Sequence, residues 1–276
     1  MRRLGVFVLA GLLLGGCSGL FFYPTRGPMP TPDALGLDYR DVWFVSADGT
    51  RLHGWFLPAR GDVKGTILHL HGNAQNIGAH LPSVAWLPAQ GFNVLTFDYR
   101  GYGRSSGTPS IEGVIQDAHA ALATVAAMEE TRLGTLSVFG QSLGGSVAIA
   151  LAAQDVRRDA LCAVIADSAF AGYRRIFREK MTEMWLTWPF RGVLPDTIET
   201  RYDPSRLIAD IAPIPVIIMH GDADMLVSVD HAYTLFYAAQ PPKALWIAPD
   251  TGHISALARP EFRRRFVEAA GGCGAS

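Results

Sequence analysis

Short apolar runs alternate with longer amphipathic stretches along most of the 276-residue chain. The runs "GTILHLHG", "FNVLTFDYRG", "LSVFG", "LCAVIADSA" and "PVIIMHG" are apolar almost throughout, as expected of strands that are covered on both faces. Between them lie stretches with apolar residues at helical spacing, such as "SIEGVIQDAHAALATVAAMEE", in which Ser110 is the predicted N-cap. The alternation predicts one α/β domain with a mostly parallel sheet that is flanked by helices.

Three stretches depart from this alternation of predicted strands and helices. Asp48-Gly49 separates two alternating runs and predicts an antiparallel hairpin ahead of the parallel strands. The stretch "LPSVAWLPAQG" predicts a helix that ends at Gly91. Residues 169–211 are too many for a simple crossover, and we expect a short cap insertion over the carboxyl edge of the sheet. The cap aromatics form either a substrate pocket or the core of the cap itself; they are Phe170, Tyr173, Phe177, Trp185, Trp188 and Phe190.

The N-terminus "MRRLGVFVLAGLLLGGC" has a basic start and an apolar run, which are typical of a bacterial secretory signal. Its "LGGC" ending resembles the lipobox of bacterial lipoproteins. The resemblance implies that Cys17 is lipidated and becomes the first residue of the mature protein. Ser18 then favours the outer membrane, facing the periplasm, in a Gram-negative cell. An uncleaved anchor is the alternative, because about 20 apolar residues can cross a bilayer, and simple cleaved secretion is a third.

These features divide the chain into a signal peptide at 1–17, a Pro- and Gly-rich tether at 18–37 and a folded domain at 38–271. Lys and Arg total 24 against 25 Asp and Glu, so the net charge of −1 gives no electrostatic footprint for nucleic acid. No cysteine or histidine spacing predicts a metal site. Cys162 lies in a buried strand and Cys273 in the tail, and we expect no disulfide.

The run "GQSLG", residues 140–144, is a G-x-S-x-G motif between a predicted strand and a predicted helix. A turn this tight excludes larger side chains at the glycine positions and lifts the serine hydroxyl above the sheet. A glycine-rich turn without chemistry is the simpler interpretation of the motif alone. The strand before it and the helix after it favour Ser142 as a nucleophile.

A serine nucleophile needs a base and a group that orients the base. Downstream of Ser142, "IIMHGDADMLVS" places Asp222 and Asp224 after one strand, and "APDTGHIS" places His253 after the next. Sites in open α/β sheets gather at the carboxyl ends of the strands. The order serine, acid, histidine therefore predicts a catalytic triad at that edge.

These motifs resemble those of the α/β-hydrolases, and in particular a compact, short-capped subgroup of alpha/beta hydrolase domain-containing proteins. The likeness is carried by "LHLHGNAQNIG", "FDYRGYGRSSGTPS", "GQSLGG", "HGDADMLVS" and "GH", and it spans roughly residues 22–270. The resemblance implies Asp224 as the acid, with Asp222 and Asp250 as weaker candidates. It implies His253 as the base, with His220 in a structural role.

The same resemblance implies that the backbone N–H groups of Leu143 and Asn73 bind the oxyanion, with His71 bracing the loop that carries Asn73. The glycine-spaced run "FDYRGYGRSSG" lacks the spacing of a phosphate-binding loop, and in this family it is a structural loop beside the site. We therefore expect no cofactor. Arg174, Arg175 and Arg178 in the cap either attract an acidic substrate or form a solvated face.

The sequence thus predicts a membrane-tethered serine hydrolase of the cell envelope that works through an acyl-enzyme. We expect a small-molecule or acylated substrate with a carboxylic ester, while thioesters, amides and peptides stay open. An acyltransferase with the same triad and a non-catalytic scaffolding or binding lipoprotein are the alternatives. The sequence does not determine the natural substrate or the oligomeric state.

Overall fold

A twisted sheet of eight strands organises the described residues of the computed structural model, which are 21–27, 29–183 and 194–272. The strands are β2 (Arg40–Val45), β3 (Arg51–Leu57), β4 (Gly65–Leu70), β6 (Phe92–Asp98), β7 (Thr135–Gln141), β8 (Leu161–Asp167), β9 (Val216–Gly221) and β10 (Lys243–Ala248). Their order across the sheet is β10-β9-β8-β7-β4-β6-β3-β2. Two further strands, β1 (Tyr23–Pro24) and β5 (Ala74–Gln75), pair separately and in parallel.

The pairing confirms the predicted fold class. Strands β2 and β3 form the expected antiparallel hairpin, and β3 also pairs antiparallel with β6. All other pairs in the sheet are parallel, so the carboxyl ends of β4, β7, β8, β9 and β10 meet at one edge.

Helices cover both faces of this sheet. They are α1 (Ile77–His80), α2 (Ile111–Ala127), α3 (Leu143–Gln154), α4 (Tyr173–Glu183), α5 (Pro204–Leu207), α6 (Asp230–Ala238) and α7 (Pro260–Gly271). Helix α2 begins as predicted, with the Ser110 hydroxyl accepting from the Gly113 N–H at 3.1 Å. Neighbouring strand residues enter opposite cores: Leu68 joins the core under α2 and α3, and Ile67 joins the one under α7. No helix among the described residues is both long enough and apolar enough to cross a bilayer.

The helix predicted over "LPSVAWLPAQG" is wrong. Two short 3-10 turns, Leu81–Ser83 and Pro88–Gln90, occupy this stretch instead. Each begins at or contains a proline, and a proline inside an α-helix removes a backbone donor and clashes with the preceding turn. Gly91 does end the segment, in the left-handed region at φ 88°.

Residues 21–27 and 29–37, which fall within the predicted tether, pack against the rest of the chain. Strand β1 pairs with β5, and the Phe22 side chain is buried in the core under α2 and α3. Composition gives no hint of this, because the contacts are made by two phenylalanines and by backbone groups within a run of prolines and glycines. The predicted signal peptide and Cys17, the predicted lipidation site, lie outside the described residues, as do Trp185, Trp188 and Phe190.

The prediction of no disulfide is wrong. Cys162 on β8 is disulfide-bonded, and its partner lies outside the described residues. Burial of a strand thiol does not prevent such a bond. Helix α7 packs against the strands, and the Ala270 carbonyl near its end accepts from the hydroxyls of Thr135 at 2.8 Å and Ser137 at 3.0 Å.

Candidate active site

Ser142 lies between the end of β7 and the start of α3 in an unusual backbone conformation, with φ 55° and ψ −116°. A non-glycine residue at positive φ is strained by about 1–3 kcal/mol and persists where the surroundings fix it. Here the Ser142 N–H donates to the Asp167 carbonyl at 2.8 Å. A Cβ on Gly140 would overlap the Gly144 carbonyl, and one on Gly144 would overlap the Leu70 carbonyl. Both glycines of the motif are therefore required by backbone packing.

Asp224 and His253 follow β9 and β10 and are in direct contact. The Nδ1 of His253 lies 2.7 Å from the Asp224 Oδ2, with the carboxylate side chain fully buried and the imidazole 16% exposed. The other oxygen of Asp224 accepts the N–H groups of Leu226 at 2.8 Å and Val227 at 2.9 Å. A carboxylate held in this way places the proton of the neutral imidazole on Nδ1, so that Nε2 is left as an acceptor.

His220 completes the surroundings of this carboxylate. Its Nε2 lies 3.2 Å from the Asp224 Oδ2 and 2.8 Å from the Val227 carbonyl. Burial works to raise the pKa of Asp224, but hydrogen bonds with His220 and His253 and from the Val227 N–H outweigh it, and the pKa lies well below its usual range. Asp224 is thus a permanent acceptor for His253 at neutral pH.

The rival carboxylates lie elsewhere. Asp222 and Asp250 are both exposed, and within the described part of the chain neither is hydrogen-bonded to His253. The structure therefore brings together the acid and histidine that the family resemblance implied.

Two backbone N–H groups flank the turn at Ser142. Leu143 is the first residue of α3, where N–H groups have no partner within the helix. Asn73 lies in the loop after β4, next to His71, whose Nδ1 lies 2.7 Å from the Gly72 carbonyl. Among the residues described, no acceptor binds the N–H of Leu143 or that of Asn73. Both donors are available to a bound oxyanion.

The family described as "Serine aminopeptidase, S33" matches residues 61–212, a range that holds the G-x-S-x-G turn. The chain belongs to this family of α/β-hydrolases. The hydrolase is 38% identical to the uncharacterized protein YfhR of Escherichia coli O157:H7, over 86% of this chain and 80% of that protein. It is also 32% identical to the alpha/beta hydrolase domain-containing protein WAV2 of Arabidopsis thaliana, over 80% of this chain and 74% of that protein.

Solved structures agree on the fold of the hydrolase. An esterase of Pyrococcus furiosus superimposes with a TM-score of 0.72 at 25% identity, over 90% of this chain and 96% of that one. The esterase domain of a Rhodothermus marinus protein is similar at a TM-score of 0.60 and 21% identity, over 85% of this chain and 96% of that one.

Sequence reasoning missed one pair in the hydrolase, Asp167 and Ser168 at the end of β8. The Asp167 carbonyl accepts from Ser142, and the Ser168 hydroxyl accepts the Ile254 N–H at 3.1 Å. The pair thus joins the turn of the nucleophile candidate to the loop of the histidine. The available signal was a carboxylate and a hydroxyl directly after a buried strand.

The Asp167 side chain itself is fully buried. Burial raises its pKa to about 6, although a hydrogen bond from the Gln141 amide and the electrostatic interaction with His253 work to lower it. The carboxylate is therefore charged at pH 7 at a cost in folding free energy.

Asp167→Asn is expected to stabilise the hydrolase more at pH 7.5 than at pH 4. The pKa of this carboxyl is about 6 in the folded protein against an ordinary 3.8, so the unfolded chain loses the proton first and stability falls as the pH rises between these values. The two pKa values correspond to about 3 kcal/mol. Urea unfolding of both proteins at the two pH values measures the effect. An equal difference between the proteins at pH 4 and pH 7.5 contradicts it.

In the described part of the cap, two of the predicted aromatic residues pack in its core. Phe170 and Tyr173 are buried, with ring centroids 4.9 Å apart. The cap arginines are paired with carboxylates: Arg175 lies 2.9 Å from Glu179, and Arg174 and Arg178 lie 3.7 and 3.4 Å from Asp196. No group of three or more His, Cys, Asp or Glu side chains within the described ranges is arranged to hold a metal ion.

Proposed function

We propose that this chain is a serine hydrolase that cleaves a carboxylic ester through an acyl-enzyme, with Ser142, Asp224 and His253 as its triad. The observation that carries the proposal is the 2.7 Å hydrogen bond between His253 and the buried Asp224 at the sheet edge where Ser142 occupies its strained turn. A buried carboxylate whose pKa is lowered by hydrogen bonds with two histidines is typical of functional sites.

In the first half of the proposed reaction, the Nε2 of His253 takes the proton of the Ser142 hydroxyl as its oxygen attacks the ester carbonyl. Asp224 holds the imidazole in the required tautomer and stabilises its charged form. The N–H groups of Leu143 and Asn73 bind the oxyanion, and the N-terminus of α3 adds a favourable dipole. The intermediate then collapses, and His253 donates the proton to the departing alcohol.

In the second half, His253 takes a proton from water as the water oxygen attacks the acyl-enzyme. Collapse of the second intermediate releases the carboxylic acid, and the proton returns from His253 to Ser142. An acyltransferase would use the same groups with an alcohol in place of water. A thioester or an amide would enter by the same first step.

An ester substrate is supported by the likeness to the Pyrococcus furiosus esterase, which reaches 25% identity over 90% of this chain. We place the hydrolase at the cell envelope, with Cys17 as its lipid anchor and an uncleaved N-terminal helix as the alternative. The motif "LGGC" at the end of an apolar run supports this placement.

Hydrolysis of p-nitrophenyl esters from acetate to palmitate, by the chain without residues 1–17, tests the proposed function. We expect turnover, with covalent labelling of Ser142 by a fluorophosphonate. The preferred acyl length indicates how long an acyl chain the substrate pocket accommodates. Added alcohol that captures the acyl group faster than water would favour the acyltransferase. A well-folded chain that neither turns over nor labels would make the scaffolding lipoprotein the better interpretation.

A further inference from the structure

The described chain begins with a strap, Phe21–Gly27, that lies across the loop carrying Asn73. We propose that this strap is a positioning element of the active site, which holds the Asn73 N–H where the oxyanion forms. The proposal rests on the proposed function, because it assigns Asn73 to the oxyanion site. The strap can in this way affect the catalytic rate without contacting the substrate.

The strap binds the oxyanion loop through both side chain and backbone. The side-chain amide of Asn73 donates to the Phe21 carbonyl at 2.6 Å. The backbone of the loop is bound as well, since the Thr25 N–H donates to the Gln75 carbonyl at 2.9 Å and β1 pairs with β5. Asn73 is thus held by a side-chain hydrogen bond that leaves its own backbone N–H unused.

This loop needs an external support. Ala74 and Gln75 are exposed, and Gln75 has φ 67°, in the left-handed region that side chains other than glycine disfavour. A short exposed segment with a strained residue keeps its shape where neighbouring groups fix it. The paired strand β1 supplies that fixation on one side.

A second loop, which carries Tyr102, contacts both Asn73 and the strap. The Tyr102 hydroxyl donates to the Asn73 carbonyl at 2.7 Å. Arg26 of the strap in turn binds the loop around Tyr102, with its guanidinium donating to the carbonyls of Gly101 at 3.1 Å and Gly107 at 2.7 Å. The strap, the Tyr102 loop and Asn73 therefore form one closed set of hydrogen bonds.

The strap also reaches the element that carries the other oxyanion donor. The Phe21 ring packs edge-on against Phe170 and Tyr173, with centroids 5.9 Å away in both cases. The Phe170 carbonyl accepts from the Ser146 hydroxyl on α3 at 2.9 Å, and α3 begins at Leu143. One short segment thus contacts the supports of both N–H groups.

An oxyanion site works because its donors are fixed before the charge develops. Loosening the strap is therefore expected to reduce the stabilisation of the transition state more than the binding of the substrate. This distinguishes a positioning role from a purely structural one, which would lower the stability of the fold and leave both kcat and the affinity for an oxyanion-mimicking inhibitor unchanged in the folded protein.

The test compares Phe21→Ala, Arg26→Gln and their combination with wild type in the full-length chain. Complete loss of one oxyanion donor costs about 10²–10³ in kcat, and we expect displacement of the donor to cost about 10-fold in the double variant, with KM nearly unchanged. Affinity for an aryl trifluoromethyl ketone, whose Ser142 adduct carries an oxyanion, should fall by the same factor. Arg60→Gln is the matched control, because Arg60 is also exposed and donates to a backbone carbonyl, that of Gly36, outside the site.

Each outcome decides the proposal. A folded double variant with the kcat and ketone affinity of Arg60→Gln would overturn the strap's role while leaving the proposed function intact. A kcat that falls with no change in ketone affinity would overturn it as well. An inactive, unlabelled wild type would overturn the proposed function and this inference together. If the double variant fails to fold, the same comparison is made with Arg26→Gln alone, whose side chain is exposed.

Discussion

Ser142→Ala is expected to lower kcat by about 10⁶-fold and to abolish fluorophosphonate labelling, because the bond to the acyl group cannot form without the Oγ. Alanine keeps the Cβ and the backbone N–H that donates to Asp167, so the turn should persist. Single-turnover hydrolysis and intact-protein mass after labelling measure the loss. Thermal unfolding should show the same midpoint for both proteins within a few degrees.

Ser110→Ala provides the control that separates stability from chemistry. Its hydroxyl caps α2 by accepting the Gly113 N–H, so its loss should destabilise the fold by about 1 kcal/mol. Labelling and kcat should nevertheless stay near wild type. A label that survives in Ser142→Ala would place the nucleophile on another residue, and the proposed triad would be wrong.

The parts of the fold that the sequence predicted are those whose signal is local. The glycines Gly140 and Gly144 predicted the turn, and in the structure their neighbours leave no space for a Cβ. Ser110 predicted a helix start, and its hydroxyl accepts a hydrogen bond from a residue only three positions away. The contact between Asp224 and His253 spans 29 residues. The position of both after strands that end at one edge predicted an acid and a base there, and the family resemblance distinguished Asp224 from Asp222.

The parts that were missed depend on partners without a sequence signal. The Phe21 carbonyl that binds Asn73 is a backbone group 52 residues away, and every residue type carries one. Asp167 is recognisable only after β8 is known to lie beside β7. The helix predicted near Gly91 is absent for a different and local reason, because Pro82 and Pro88 interrupt the stretch.

Asp224→Asn is expected to lower kcat by about 10⁴-fold with little change in KM, whereas Asp222→Asn should leave both near wild type. The side-chain amide of an asparagine at 224 would donate to the Nδ1 of His253. The imidazole would then carry its proton on Nε2, where it could not take the proton of Ser142. Asp222, two residues away and exposed, has no such contact with His253 and is the matched control.

The choice between these carboxylates is decided by steady-state kinetics on one ester, with circular dichroism as the check on folding. His220 contacts the same Asp224 oxygen as His253, so one carboxylate oxygen serves two imidazoles. The neutral amide of an asparagine is a weaker acceptor and cannot replace the carboxylate toward both rings. Fluorophosphonate labelling should slow in Asp224→Asn but still reach completion, since Ser142 and the oxyanion donors remain. If instead Asp222→Asn carried the loss, the acid would be the exposed residue, and the buried pair of Asp224 with His220 would be a structural element of the loop after β9.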